Sequence, residues 1–106
     1  MYRGVLMITE NIILRGDYKK QLKHLSIDTD IHVSSMLINS AKYILHNNKD
    51  IQPTLMEMDA PFTMRIEKDL KKEIKEFCKD KQIRIKDFWN EAAYIAIDFK
   101  GDFNNA

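Results

Sequence analysis

Few side chains in this sequence are spaced for catalysis. Asp28, Thr29, Asp30 and His32 crowd oxygen and nitrogen donors into five positions, the density of a metal loop. A calcium loop needs a glycine at its bend and a closing glutamate, and neither stands here. No second ligand cluster supports zinc. The cluster reads as an acidic turn. Cys78 is the sole cysteine, so it forms no internal disulfide, and nothing beyond nearby lysines would activate it. It reads as structural. His24 and His46 read as surface residues. The chain contains no Gly-rich phosphate loop and no acid–base constellation. An enzyme is not expected, and no cofactor or metal is implied.

The polar groups with the most regular placement are Thr63 and Arg65. They alternate with Phe62, Met64 and Ile66, the period of a half-buried strand. The apolar set faces one way and Thr63 and Arg65 face the other. The next stretch is helical. Glu67, Lys68 and Asp69 open a helix with carboxylates where the macrodipole favours them. Leu70, Ile74 and Phe77 form its apolar stripe. Asp80, Lys81 and Gln82 read as a turn. A second helix begins around Arg84–Lys86, with Ile85, Trp89, Ala93 and Ile97 as its buried stripe. Trp89 and Phe88 therefore belong to a core.

The same plan occurs earlier. Residues 9–45 slide onto residues 61–97 at a fixed offset of 52, with no gap. Asp17 meets Asp69, Lys19 and Lys20 meet Lys71 and Lys72, and Lys23 meets Lys75. Apolar positions agree in class: Leu14 with Ile66, Leu22 with Ile74, Leu37 with Trp89. One supersecondary unit is used twice. In the first copy Asn11–Leu14 is the strand, and the helices run from about Asp17 to Leu25 and from about His32 to His46. Asp28–Asp30 is the turn between them, and Asn47 and Asn48 end the second helix. The expected division is repeat one at 9–47, a linker at 48–60 containing Pro53, repeat two at 61–97 and a polar tail at 98–106.

Each copy, at about 37 residues, is below the size at which a lone core holds without disulfides or metal. The two must share one core. A strand with one apolar face and no partner in its own copy pairs with its twin. The expected fold is α+β and mainly helical: an antiparallel two-stranded ribbon and four helices, arranged as an intramolecular pseudo-dimer.

Net charge is +1, so there is no global basic signature. Residues 1–47 carry +2, residues 48–60 carry −2 and residues 61–106 carry +1. The pairs Lys19–Lys20 and Lys71–Lys72 read as solvated helix faces. No apolar run reaches membrane-spanning length, and residues 4–8 are too short for a signal-peptide core. A cytoplasmic location and no membrane partner are expected.

The alternation at 62–66, followed by Leu70 and Ile74 and then by Ile85, Trp89 and Ala93, resembles the ribbon-helix-helix family of DNA-binding proteins, the MetJ/Arc type. The resemblance spans residues 61–97 and, with fewer matches, 9–45. Tandem single-chain members similar to the TraY-like proteins of conjugative plasmids share the doubled plan. Two features of the family motif are absent. Thr29 and Lys81 stand where it often has a turn glycine, and Arg15 and Glu67 stand where it often has a proline.

In that family the ribbon enters the major groove of double-stranded DNA. The resemblance implies that the outward positions Asn11, Ile13, Thr63 and Arg65 read bases, with Thr9 and Pro61 at the ribbon ends. Arg65 suits guanine, Asn11 suits adenine, and Thr63 can donate, accept or touch a thymine methyl. Ile13 offers apolar contact alone. The resemblance also implies phosphate binding at two helix starts, His32, Val33 and Ser34, and Arg84, Ile85 and Lys86.

The expected function is sequence-specific double-stranded DNA binding, as a transcriptional repressor or a plasmid relaxosome or partition accessory protein, with self-association of pseudo-dimers on DNA. The alternative is a protein-interaction module, an antitoxin or inhibitor on the same fold. The near-zero net charge and Ile13 favour keeping it, whereas the short polar end of the chain counts against an antitoxin.

Overall fold

The computed structural model describes residues 5–55 and 58–103. Two nine-residue strands, β1 (Met7–Arg15) and β2 (Asp59–Glu67), form one antiparallel ribbon. Each strand is followed by two helices: α1 (Gly16–Thr29) and α2 (Val33–Asn47) after β1, and α3 (Lys68–Lys81) and α4 (Ile85–Asp98) after β2. The fold is α+β and mainly helical. The ladder is paired along its full length, from Met7 opposite Glu67 to Arg15 opposite Asp59. The strands are longer than the four or five residues of each apolar alternation, because ladder pairing extends past the side chains that drive it.

Period-two alternation sets the faces. Glu10, Ile12 and Leu14 on β1 and Met64 and Ile66 on β2 are buried, with Ile8 and Phe62 half-buried beside them. The helices cover this face. α2 packs on α4, and α4 also packs on α1 and on β1. Trp89, Phe88, Leu14, Leu22, Leu37, Ile44 and Ile66 are fully buried in a single cluster that draws on both halves of the chain. Phe88 meets Trp89 edge-on, with centroids 5.5 Å apart and planes at 85°, a favourable aromatic geometry.

The helix ends correct the expected turns. α1 runs through Thr29 and α3 through Lys81, so Asp28, Thr29, Asp80 and Lys81 are helical. The chain turns instead on Asp30 (φ 59°) and Gln82 (φ 58°), both left-handed. Thr29 Oγ1 donates to the Leu25 carbonyl at 2.6 Å, which satisfies an acceptor at the frayed end. Lys79 and Lys81 sit in the last turn of α3, where the dipole favours cations. Asn48 closes α2, also left-handed.

Gly16 opens α1 because nothing larger fits. A Cβ there would lie 2.6 Å from the Met58 carbonyl oxygen. The connection between the halves is anchored as well: Ile51 is buried, and the Thr54 amide donates to Asp87 at 2.9 Å. The segment expected as a polar tail is partly packed. Asp98 completes α4, and Phe99 and Phe103 lie against Tyr43, at 5.2 Å and 6.2 Å between centroids. Apolar rings recover burial that the surrounding polar residues conceal. Residues 104–106 of that segment lie outside the described residues.

Candidate nucleic-acid interface

The outward face of the ribbon is built by the odd-numbered strand residues. Thr9, Asn11 and Ile13 on β1 and Pro61, Thr63 and Arg65 on β2 are all exposed. They form three cross-strand pairs: Thr9 with Arg65, Asn11 with Thr63, and Ile13 with Pro61. The four positions singled out in the sequence, Asn11, Ile13, Thr63 and Arg65, therefore share one surface. Neighbouring strands lie about 4.8 Å apart, so this surface is narrow.

Its polar groups are partly organised. Thr63 Oγ1 donates to Asn11 Oδ1 at 2.8 Å, which occupies the Asn11 carbonyl oxygen and leaves its amide nitrogen as the donor. Arg65 Nη2 reaches the Met7 carbonyl at 3.4 Å, a long bond that leaves most of the fork unspent. Among the described residues no carboxylate pairs with Arg65. The opposite end of the ribbon is internally compensated. Arg15 lies against Asp17, with bonds of 3.0 Å and 3.1 Å, and its guanidinium stands 4.7 Å over the Tyr18 ring. Asp59 faces Lys86 at 3.6 Å. Burial is the leading cause that pushes the Tyr18 hydroxyl above its ordinary pKa.

The two helix starts differ. At α4, Arg84 is the N-cap, Ile85 is half-buried and Lys86 leans on Asp59. Asp87, three residues in, is buried and turned back onto the cap. It accepts from the Arg84 amide at 3.3 Å, from the Arg84 side chain at 3.0 Å and 2.9 Å, and from the Thr54 amide. The Arg84 guanidinium holds the Asp87 carboxyl below the usual carboxylate range, against the opposing effect of burial. The start of α4 thus already carries a carboxylate. At α2, His32 is the exposed N-cap, Val33 and Ser34 are half-buried, and the first turn holds no acidic residue. The His32 side chain makes no cap hydrogen bond.

Asn90 ties α4 to the ribbon. Its Oδ1 accepts from the Arg15 amide at 2.8 Å, and its Nδ2 donates to the Ile13 carbonyl at 2.9 Å. This fixes the Ile13–Arg15 end of β1 to the helix that starts at Arg84. Asn90 escaped the sequence reading; its only signal was a polar side chain beside an apolar helix stripe. Asp87 and Glu10 escaped it too. Glu10 is buried at an inward strand position and pairs with Lys71 at 3.3 Å.

Among the described residues no group of histidines, cysteines and carboxylates is arranged to hold a metal ion, and Asp28, Asp30 and His32 do not form one. Burial pushes the Cys78 thiol up to about 11, which suppresses the thiolate and fits a structural role. Among the described residues no helix is long and apolar enough to cross a membrane. No protein-family model, curated protein or solved structure matches this chain.

Proposed function

We propose that this protein binds double-stranded DNA sequence-specifically, with the ribbon in the major groove, and that its two halves act as a built-in pseudo-dimer. One observation carries the reading. The repeat offset is 52, and in the ladder the residue directly opposite Asn11 is Thr63, its own counterpart at that offset. A two-fold axis relating the halves would pass between these two residues, at the centre of the ribbon. The element bounds support the same relation: β1 and β2, α1 and α3, and the starts of α2 and α4 are each displaced by 52.

A homodimeric ribbon presents identical side chains on both sides of its axis and so favours palindromic sites. Here Arg65 stands where the other half has Ile13, and Thr63 stands where it has Asn11. Arg65 prefers guanine, whereas Ile13 offers only apolar contact. Each bound chain reads a directional element. Phosphate contacts set the register: the His32–Ser34 start of α2 offers open amides, while Arg84 and Lys86 act through their side chains at the α4 start. Self-association of chains along DNA would add affinity that one narrow ribbon cannot supply.

Selection from a random duplex pool tests this. The expected product is an asymmetric motif with guanine at one end, confirmed by gel shift against non-specific competitor. A symmetric inverted repeat with one chain per full site would contradict the paired reading. No enrichment at all would favour the protein-interaction alternative, for which the outward Ile13 and Pro61 supply an apolar patch.

A further inference from the structure

The net charge of +1 hides a sharp separation of charge on α3. Lys68, Lys71, Lys72, Lys75 and Lys79 recur at three- and four-residue steps and form one stripe. Asp69, Glu73, Glu76 and Asp80 recur at the same steps and form another. The buried Leu70, Ile74 and Cys78 lie between them on the inner side, and on the exposed side the two stripes adjoin at Lys72 and Glu76.

The two stripes face different neighbours. Lys68, Lys71, Lys72 and Lys75 line a shallow groove floored by Ile8 of β1, and Lys71 reaches Glu10 of the same strand at 3.3 Å. Asp69 and Glu73 line a recess shared with Lys42 and His46 of α2. Lys68, Lys71, Lys72 and Lys75 therefore sit beside β1, whereas Asp69 and Glu73 face α2 next to the Glu67 end of β2. α1 repeats the arrangement with Lys19, Lys20 and Lys23, and Lys19 donates to the Pro61 carbonyl of β2 at 2.7 Å. Lys19 thus lies alongside β2, as the lysines of α3 lie alongside β1.

Among the described residues no carboxylate forms a direct ion pair with Lys68, Lys72 or Lys75, so of these four lysines only Lys71 is directly paired, with Glu10. Such crowding is held apart only by solvent and is relieved by an anion with regularly spaced charges. The major groove is about 12 Å wide and bordered on both sides by phosphates. A two-stranded ribbon fills only part of that width, so groups flanking the strands meet the walls. We propose that Lys68, Lys72 and Lys75 bind DNA phosphates along the groove wall beside β1, a site distinct from the helix starts. This site rests on the proposed placement of the ribbon in the groove.

The test is the salt dependence of duplex binding by the full chain and by a K68Q/K72Q/K75Q variant. Each phosphate neutralised contributes about 0.9 to the slope of log affinity against log salt. The variant should lose about 2 to 3 from that slope, weaken on selected and random duplexes alike, and keep the selected motif. Should the triple variant fold poorly by circular dichroism, K72Q and K75Q singly should each remove about 0.9. Wild-type binding with a slope that these variants retain would overturn the lysine site and leave the ribbon reading intact. No duplex binding by the wild-type chain would overturn both. Binding to anionic lipid vesicles in place of duplex DNA, lost in the triple variant, would overturn the assignment of phosphates in a groove.

Discussion

Thr63 and Asn11 lie directly opposite each other in the ribbon, and the threonine hydroxyl donates to the asparagine carbonyl oxygen at 2.8 Å. The two are 52 positions apart, the same interval that superposes one half of the sequence on the other. The bond is exposed, so its stability contribution is small, about 0.5–1.5 kcal/mol at most. Its larger consequence is orientation, since it fixes which way the Asn11 amide faces.

On the proposed reading, Thr63→Val should therefore change unfolding free energy by no more than about 1.5 kcal/mol while relaxing base preference at the Asn11 position. A double-mutant cycle with Asn11→Ala, scored by binding to the selected site, should return a non-zero coupling. Strictly additive losses would mean that the two side chains act independently.

Arg65→Ala should leave stability within about 0.5 kcal/mol, because the side chain is exposed and holds only one long bond. Binding to the selected site should fall by about 1–3 kcal/mol, with preference lost at one base position. Titration of matched and single-base-substituted duplexes reads both effects. Undiminished binding would remove the ribbon from the interface.

Gly16→Ala reverses the usual expectation. An exposed helical glycine replaced by alanine ordinarily gains up to about 1 kcal/mol. At Gly16 the new Cβ would press on the Met58 carbonyl, a backbone atom that cannot rotate aside. Denaturant unfolding should show a loss of about 1–3 kcal/mol, as overpacked sites do. The counterpart in the other half is Lys68, and Lys68→Ala should be close to neutral.

Trp89→Ala should cost about 3–5 kcal/mol, the range for large aromatic truncations in a core. Trp89 is 0% exposed and packs against Phe88. Native fluorescence should be blue-shifted and protected from soluble quenchers. Red-shifted, readily quenched emission would place the indole at the surface.

Asp87 should make stability depend on acid pH. Its carboxyl titrates lower in the folded chain than in the unfolded one, chiefly through Arg84. A depressed folded value stabilises above the unfolded aspartate pKa, near 4, and that contribution disappears as pH falls from there through the folded value. Asp87→Asn should lower stability at neutral pH and flatten its pH dependence between pH 5 and 2 (about one carboxylate's worth). Unfolding curves across that range decide it; a parallel offset with the wild-type slope would assign the pH dependence to another group.

Much of this architecture was legible as periodicity. Alternation at 62–66 and the strand at Asn11–Leu14 indicated which apolar strand residues are buried, because successive side chains on a strand leave opposite faces; the buried Glu10 lay outside that pattern. Stripes at three- and four-residue spacing placed Leu22, Ile74 and Trp89 in a core for the same geometric reason. The 52-residue offset led to an expected α+β fold of one two-stranded ribbon and four helices, and the structure has that ribbon, those helices and one buried cluster. The contacts that only tertiary structure decided have no period. Asp87 meets Thr54 across 33 residues, Asn90 meets Arg15 across 75, and Lys71 meets Glu10 across 61. Each joins polar groups whose encounter depends on how the helices pack on the ribbon. The glycine at position 16 is required by a carbonyl 42 residues away, and Phe103 is held by a ring on α2. The lysine row reads in sequence as a solvated face, and only the packing of α3 along β1 sets it beside the ribbon. Local spacing determines which side of an element is apolar; what its polar side meets depends on distant chain brought near by the burial of that apolar side.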